Sequence, residues 1–167
     1  MSRRDNSVMS AAPEISILTD DTADADAIAA IAGLLRQVSG SSSPLTEERA
    51  RHVLGAPSTS VLVARVEKQI VGMALLLALT TFAGGSGYVE EVVVDSAARG
   101  QHIGAALMTA LLELAAQKGM RFVDLTSRSA RGPANALYQS LGFQLRQTNN
   151  YRYDLRQPAV DAAAERP

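Results

Sequence analysis

Apolar residues recur along this chain in two rhythms, and the switches between them mark out its elements. "EISIL" from Glu14 alternates as a short strand. "DDTADADAIAAIAGLLRQV" then takes up a helical period, with Ile28, Ile31, Leu34 and Leu35 on one face and acidic residues in its first turn. "SGSSSP" breaks the chain, and "LTEERARHVL" predicts a second, short helix that stops at Gly55, Ala56 and Pro57. "SVLVARV" and "IVGMALLLAL" flank Glu67, Lys68 and Gln69, a connection of hairpin length. The second run is rich in Ala and Leu and suits a helix as well, but its place after a tight turn favours a buried strand. "FAGGSG" reads as a flexible loop, and "YVEEVVV" as a further strand.

In the next segment Ile103, Leu107, Ala110, Leu111 and Leu114 define one helix face, closed by Lys118 and Gly119. "RFVDLT" predicts a strand, and "GPANALYQSLG" a helix with Pro133 in its first turn and Gly142 as terminator. "FQLRQTNNYRYDL" predicts two strands around Thr148, Asn149 and Asn150. The order β-α-α-β-β-β-α-β-α-β-β belongs to a mixed α/β sheet domain. Residues 1–13 and 157–167 read as tails around one domain at 14–156, with no internal repeat.

Composition narrows the class. Lys and Arg number 16 against 17 Asp and Glu, so the chain lacks the basic excess of a nucleic-acid-binding surface. Without cysteine it has no disulfide framework, no thiolate nucleophile and no Cys-based zinc site. His52 and His102 form no metal-ligand motif, so no metal is expected. The first residues lack the apolar core of a signal peptide. The longest apolar run, from Ile70, is well short of the roughly 20 residues a membrane helix needs. A cytoplasmic protein, with neither a nucleic acid nor a membrane as partner, is the expectation.

The chemistry concentrates in "YVEEVVVDSAARGQHIGAALM", residues 88–108. A strand, a Gly-containing loop and a helix in that order aim backbone N–H groups and the positive end of a helix dipole at one point, which suits an anion such as a pyrophosphate. Arg99 adds a cation, and Gly100 and Gly104 let a ligand come near the backbone. Glycines in such turns also serve purely steric ends, and neither a Walker A pattern nor a G-x-G-x-x-G fingerprint is present.

"VVVDSAARGQHIGAALM" resembles the acetyl-CoA-binding motif of the GNAT superfamily of N-acetyltransferases, R/Q-x-x-G-x-G/A. Arg99 and Gly104 take its outer positions, while His102 stands where the first glycine is usual. "ANALYQSLGF" resembles the later family segment in which an Asn and a Tyr precede L-G-F. The resemblance implies the GNAT fold: a central mixed, largely antiparallel β-sheet with a splayed parallel pair of strands, and about four helices. It implies acetyl-CoA as co-substrate in the gap between strands 89–94 and 122–126. The pantetheine arm would pair with Val92, Val93 and Val94, and the pyrophosphate would lie on the amides of Arg99, Gly100, Gln101, His102, Ile103, Gly104 and Ala105. Asn135 would contact the arm, and the Tyr138 hydroxyl would protonate the departing thiolate.

An alkyl amine is mostly protonated at neutral pH, so a carboxylate near the thioester can attract it and take its proton. Glu90 and Glu91 are the candidates, and in a regular strand they face opposite ways. "VEEVVV" is locally similar to glucosamine-6-phosphate N-acetyltransferases, a similarity that runs over residues 90–104 and implies substrate contact at Glu91. Glu91 is favoured as base, with Glu90 next. The bland alternatives are a solvated acidic pair and a core tyrosine. The expected activity is direct acetyl transfer in a ternary complex to a small-molecule primary amine. Acetylation of a protein or peptide amine, and a non-catalytic acyl-CoA sensor, stay open. So does a homodimer, for which the edge strands of the C-terminal hairpin offer a surface.

Overall fold

The computed structural model describes residues 12–38 and 44–155. The expected tails, apart from Ala12 and Pro13, and the chain break at 39–43 lie outside the described residues. Among these residues are five strands: β1 (Glu14–Leu18), β2 (Thr59–Val66), β3 (Gln69–Thr81), β4 (Gly84–Val94) and β5 (Val123–Leu125). Four α-helices accompany them: α1 (Ala25–Arg36), α2 (Glu47–Leu54), α3 (Ile103–Gln117) and α4 (Gly132–Ser140). The sheet order is β1-β2-β3-β4-β5, antiparallel up to β4, with β4 and β5 parallel.

Because side chains alternate across a strand, each strand feeds two cores. On one face Val61, Val63, Met73, Leu75 and Val93 pack with Ile28, Ile31 and Leu34 of α1 and Ala50 of α2. On the other, Leu62, Ala64, Ala74, Leu76 and Val89 pack with Ile103, Leu107, Met108 and Leu111 of α3. Burial on both faces explains the unbroken apolar run from Ile70, which is strand β3. Gly72 lets α3 lie directly on that strand, since a Cβ there would come 3.1 Å from Leu107 and 3.2 Å from Ile103. Glu67 and Lys68 form a two-residue hairpin turn, both with positive φ (50° and 71°).

Several expectations are corrected. "FAGGSG" is not a flexible loop: β3 and β4 form a continuous hairpin whose register reaches Thr81↔Gly84. Its Gly87 is fixed by packing, because a Cβ there would lie 2.9 Å from both Leu76 and Met120. The first helix begins later than its pattern. Asp20–Thr22 is a separate 3-10 turn, and Asp24 caps α1 by accepting from the Ala27 N–H at 2.7 Å. The "RFVDLT" strand shortens to three residues.

The C-terminal hairpin is absent among the described residues. Residues 143–154 carry no strand, and Leu145, Tyr151, Tyr153 and Leu155 are 73% to 91% exposed. Alternation makes a segment fit for a strand, but pairing needs an edge of matching length, and β5 offers three residues.

Candidate active site

The site begins where β4 and β5 part. Their parallel register holds for Gly87↔Val123, Tyr88↔Asp124 and Val89↔Leu125, and then ends. The Tyr88 hydroxyl donates to Thr126 Oγ1 at 3.1 Å, pinning the residue after the last pair. On its other side β4 stays paired with β3 to Val94, but the register slips: Leu75 faces Glu90 while Met73 faces Val93. Glu91 and Val92 together therefore oppose Ala74, and Glu91 has φ 53°. This is a β-bulge, which re-aims a side chain and bends its strand.

The bulge breaks the strict alternation expected of Glu90 and Glu91. Glu91 lines two clefts at once. One lies beneath α1 and α2, with Ile31, Leu35, Arg49, Val53 and Leu75. The other holds Glu90, Glu91, Val92, Leu125, Thr126 and Tyr138. Glu91 is open to solvent at its surface, yet burial raises its pKa above the ordinary 4.5, with the charge of Glu90 adding to the effect. A carboxylate so placed holds a proton more readily and gives a stronger base when ionised.

Tyr138 comes from the opposite wall, on α4. It is buried, with its ring edge-on to Phe143 at 5.9 Å between centroids. Burial raises its pKa above 10, partly offset by Arg131, so the hydroxyl keeps its proton through neutral pH. Asn135 shares the helix face but has a different geometry. Its Nδ2 donates to the Arg128 and Ser129 carbonyls at 3.1 and 3.3 Å, which folds the loop before α4. Just past the parting strands, Ser127 Oγ is buried without a hydrogen-bond partner, a polar group available to whatever fills the gap.

The loop after β4 is tied at both ends. Asp95 accepts from the Ala97 N–H at 2.8 Å and from Gln37 Nε2 at 2.9 Å, while Gln37 Oε1 accepts from the Ser96 N–H at 3.0 Å. These bonds, Gln37 foremost, lower the Asp95 pKa. Arg99 Nε donates to the Val94 carbonyl at 3.3 Å. Gly100 and His102 both have positive φ, 79° and 58°. The turn thus asks for a left-handed residue where the motif usually has glycine, and histidine is among the side chains that tolerate it.

The first α3 bond runs from Ala106 N–H to the His102 carbonyl, so Ile103, Gly104 and Ala105 lead the helix with N–H groups outside the helical ladder. Gly104 also serves packing. A Cβ there would sit 3.2 Å from Leu137 of α4.

The structure thus brings Glu90, Glu91, Val92 and Tyr138 to one cleft, and sets residues 99–105 at the end of the same strand. Val93 turns into the core beneath α1. Sequence reasoning did not single out Gln37, Thr126 or Arg49. Gln37 follows a helix end and Thr126 a strand end, both places where polar side chains bind neighbouring loops, but their partners are remote in sequence. Among the described residues no group of three or more His, Asp or Glu could hold a metal ion, and no helix is long and apolar enough to cross a membrane.

Residues 26–143 match the family model described as the acetyltransferase (GNAT) family. The chain belongs to this family. Over 89 residues it is 36% identical to a glucosamine 6-phosphate N-acetyltransferase of Trypanosoma brucei brucei, a match covering 52% of this GNAT chain and 58% of that relative. An aminoglycoside acetyltransferase from an uncultured soil metagenomic sample, solved with sisomicin, superposes with a TM-score of 0.77 at 22% identity, over 87% of this chain and 97% of that one. A Trypanosoma brucei acetyltransferase gives a TM-score of 0.66 at 27% identity, over 86% and 99% of the two chains.

Proposed function

We propose that this GNAT protein is an acetyl-CoA-dependent N-acetyltransferase acting on the primary amine of a small molecule, by direct transfer in a ternary complex. The observation that carries the reading is that Glu91 and Tyr138 line one cleft beside the open edge of β4. Glu91 takes a proton from the bound ammonium, and the freed nitrogen attacks the thioester carbon. As the carbon–sulfur bond breaks, the Tyr138 hydroxyl protonates the leaving sulfur, the nitrogen gives up its second proton, which restores the Tyr138 hydroxyl through water, and Glu91 returns the first to solvent. One proton leaves the site per acetyl group moved.

The unpaired β4 edge at Val92, Val93 and Val94 suits an extended pantetheine arm, which would lie against it as an added strand. Arg99, Gly100, Gln101, His102, Ile103, Gly104 and Ala105 are assigned to the pyrophosphate, with the helix dipole of α3 behind them. Asn135 commits its N–H groups to the loop, so its carbonyl oxygen is the atom offered to the arm. A small-molecule acceptor agrees with relatives named for glucosamine 6-phosphate and for aminoglycosides. The reading takes 14–156 as the catalytic domain and the cytoplasm as its place, and leaves room for a homodimer.

The test is CoA release, followed with a thiol reagent, across small amines and lysine peptides. The chain has no cysteine of its own, so the thiol signal is that of CoA. Release with small amines is the expected result. Release with peptides alone would make it a protein acetyltransferase. Acetyl-CoA binding without any release would make it a sensor.

A further inference from the structure

The two clefts that share Glu91 differ in kind. The one beside Tyr138 is polar in part, with Glu90, Thr126 and Arg131 in its wall. The one beneath α1 and α2 is a cavity of about 120 Å³ whose lining, apart from Glu91 and Arg49, is aliphatic side chains and Met73. Ile31, Leu35, Val53 and Val61 give it no hydrogen-bonding side chain. Glu91 reaches both because the bulge turns it out of the strand's regular alternation.

An amine held by Glu91 and facing the Tyr138 cleft therefore has the apolar cavity behind it. We infer that the acceptor is a primary amine on a compact apolar body, a branched aliphatic chain or a single aromatic ring, which seats between α1, α2 and the sheet while its amino group meets Glu91. This rests on the acetyltransferase reading and names its substrate class. Apolar cavities of about 150 Å³ accept benzene, so the space is of the right order for one ring or a branched chain of similar bulk.

An amino-sugar phosphate fits this lining poorly. Its hydroxyls would lose water without gaining partners, and its dianion would find one guanidinium, Arg49, which makes no ion pair among the described residues.

The experiment compares kcat/KM for benzylamine and isoamylamine with that for ethanolamine and glucosamine 6-phosphate at saturating acetyl-CoA. A preference of at least about tenfold for the apolar amines is expected, since each well-seated methylene is worth roughly that factor. Val53→Phe and Leu35→Phe, two half-buried positions that fill the cavity, should each cut the rate for benzylamine by about tenfold or more and shift ethanolamine less. Two variants guard against one misfolding. Polar amines turned over as well as apolar ones, or a loss shared equally by every amine, would overturn the inference and leave the acetyltransferase reading standing. If no amine releases CoA, calorimetric titration of benzylamine into the CoA-loaded protein decides instead. Binding that the Phe variants weaken upholds the cavity as its seat, and no binding removes it.

Discussion

The two halves of β4 share one strand and one partner, yet they differ in what lies on the other side. From Gly84 to Val89 the strand has β3 on one edge and comes to have β5 on the other, and Gly87 and Val89 are buried. From Glu90 to Val94 only β3 is paired, and both glutamates are exposed. An unpaired interior edge is normally a liability that proteins cover. Here it coincides with a bulge, a raised carboxylate pKa and the start of the loop that leads to α3. The first half is held by the fold, and the second half is kept open by it. The pin between Tyr88 and Thr126 marks the boundary.

That contrast can be broken most sharply at Glu91. Glu91→Gln should lower kcat by about 10²–10³-fold, while Glu90→Gln should cost less than about tenfold. Equal losses would mean that the bulge does not select between the two carboxylates. Tyr138→Phe should lower kcat by about 10²-fold with acetyl-CoA affinity nearly unchanged, as read by calorimetry. An unchanged rate would remove Tyr138 as the acid.

The pH profile sharpens the comparison further. With the Glu91 pKa raised and the Tyr138 pKa also raised, kcat should climb through a limb above the ordinary carboxylate value of 4.5 and fall only above pH 10. Glu91→Gln should erase the acid limb. Stability runs the other way. The folded state binds the Glu91 proton more tightly than the unfolded chain does. Its contribution is therefore full below pH 4.5 and lost as pH rises through the raised folded value.

Strain at the bulge gives a smaller effect. Glu91→Gly relieves a positive φ and should raise stability by about 0.5–1 kcal/mol, a Tm gain of roughly 1–4 °C, even as activity collapses. A fall in Tm would show that Glu91 sits there without strain. Gln37→Ala, which unties the end of α1 from Asp95 and Ser96, should cost about 1 kcal/mol and raise the KM for acetyl-CoA a few-fold.

Much of this was legible beforehand, for physical reasons that differ by element. The helices α1 and α3 announce themselves because an apolar stripe of helical period has one use. The run from Ile70 is harder, since burial on both faces erases the period that separates strand from helix. The glycines of "FAGGSG" misled because the residue that loosens a loop is the same one that permits close packing inside a hairpin. "FQLRQTNNYRYDL" misled for the opposite reason. Its pattern is that of strands, but a strand exists only against a partner.

The sequence by itself determined the order of the elements as far as α4, the Gly-containing loop around Arg99 between β4 and α3, and the presence of two carboxylates and a tyrosine as chemical candidates. Those follow from local periods and from the few residue types that can do the work. Only the tertiary structure decided that Glu91 leaves the strand's alternation, that it serves two clefts, that Gly104 answers to Leu137, and that Gln37 ties α1 to the loop. Each of these depends on residues brought together from distant parts of the chain. A bulge is set by the register of two strands, and no single strand's sequence contains its partner's register.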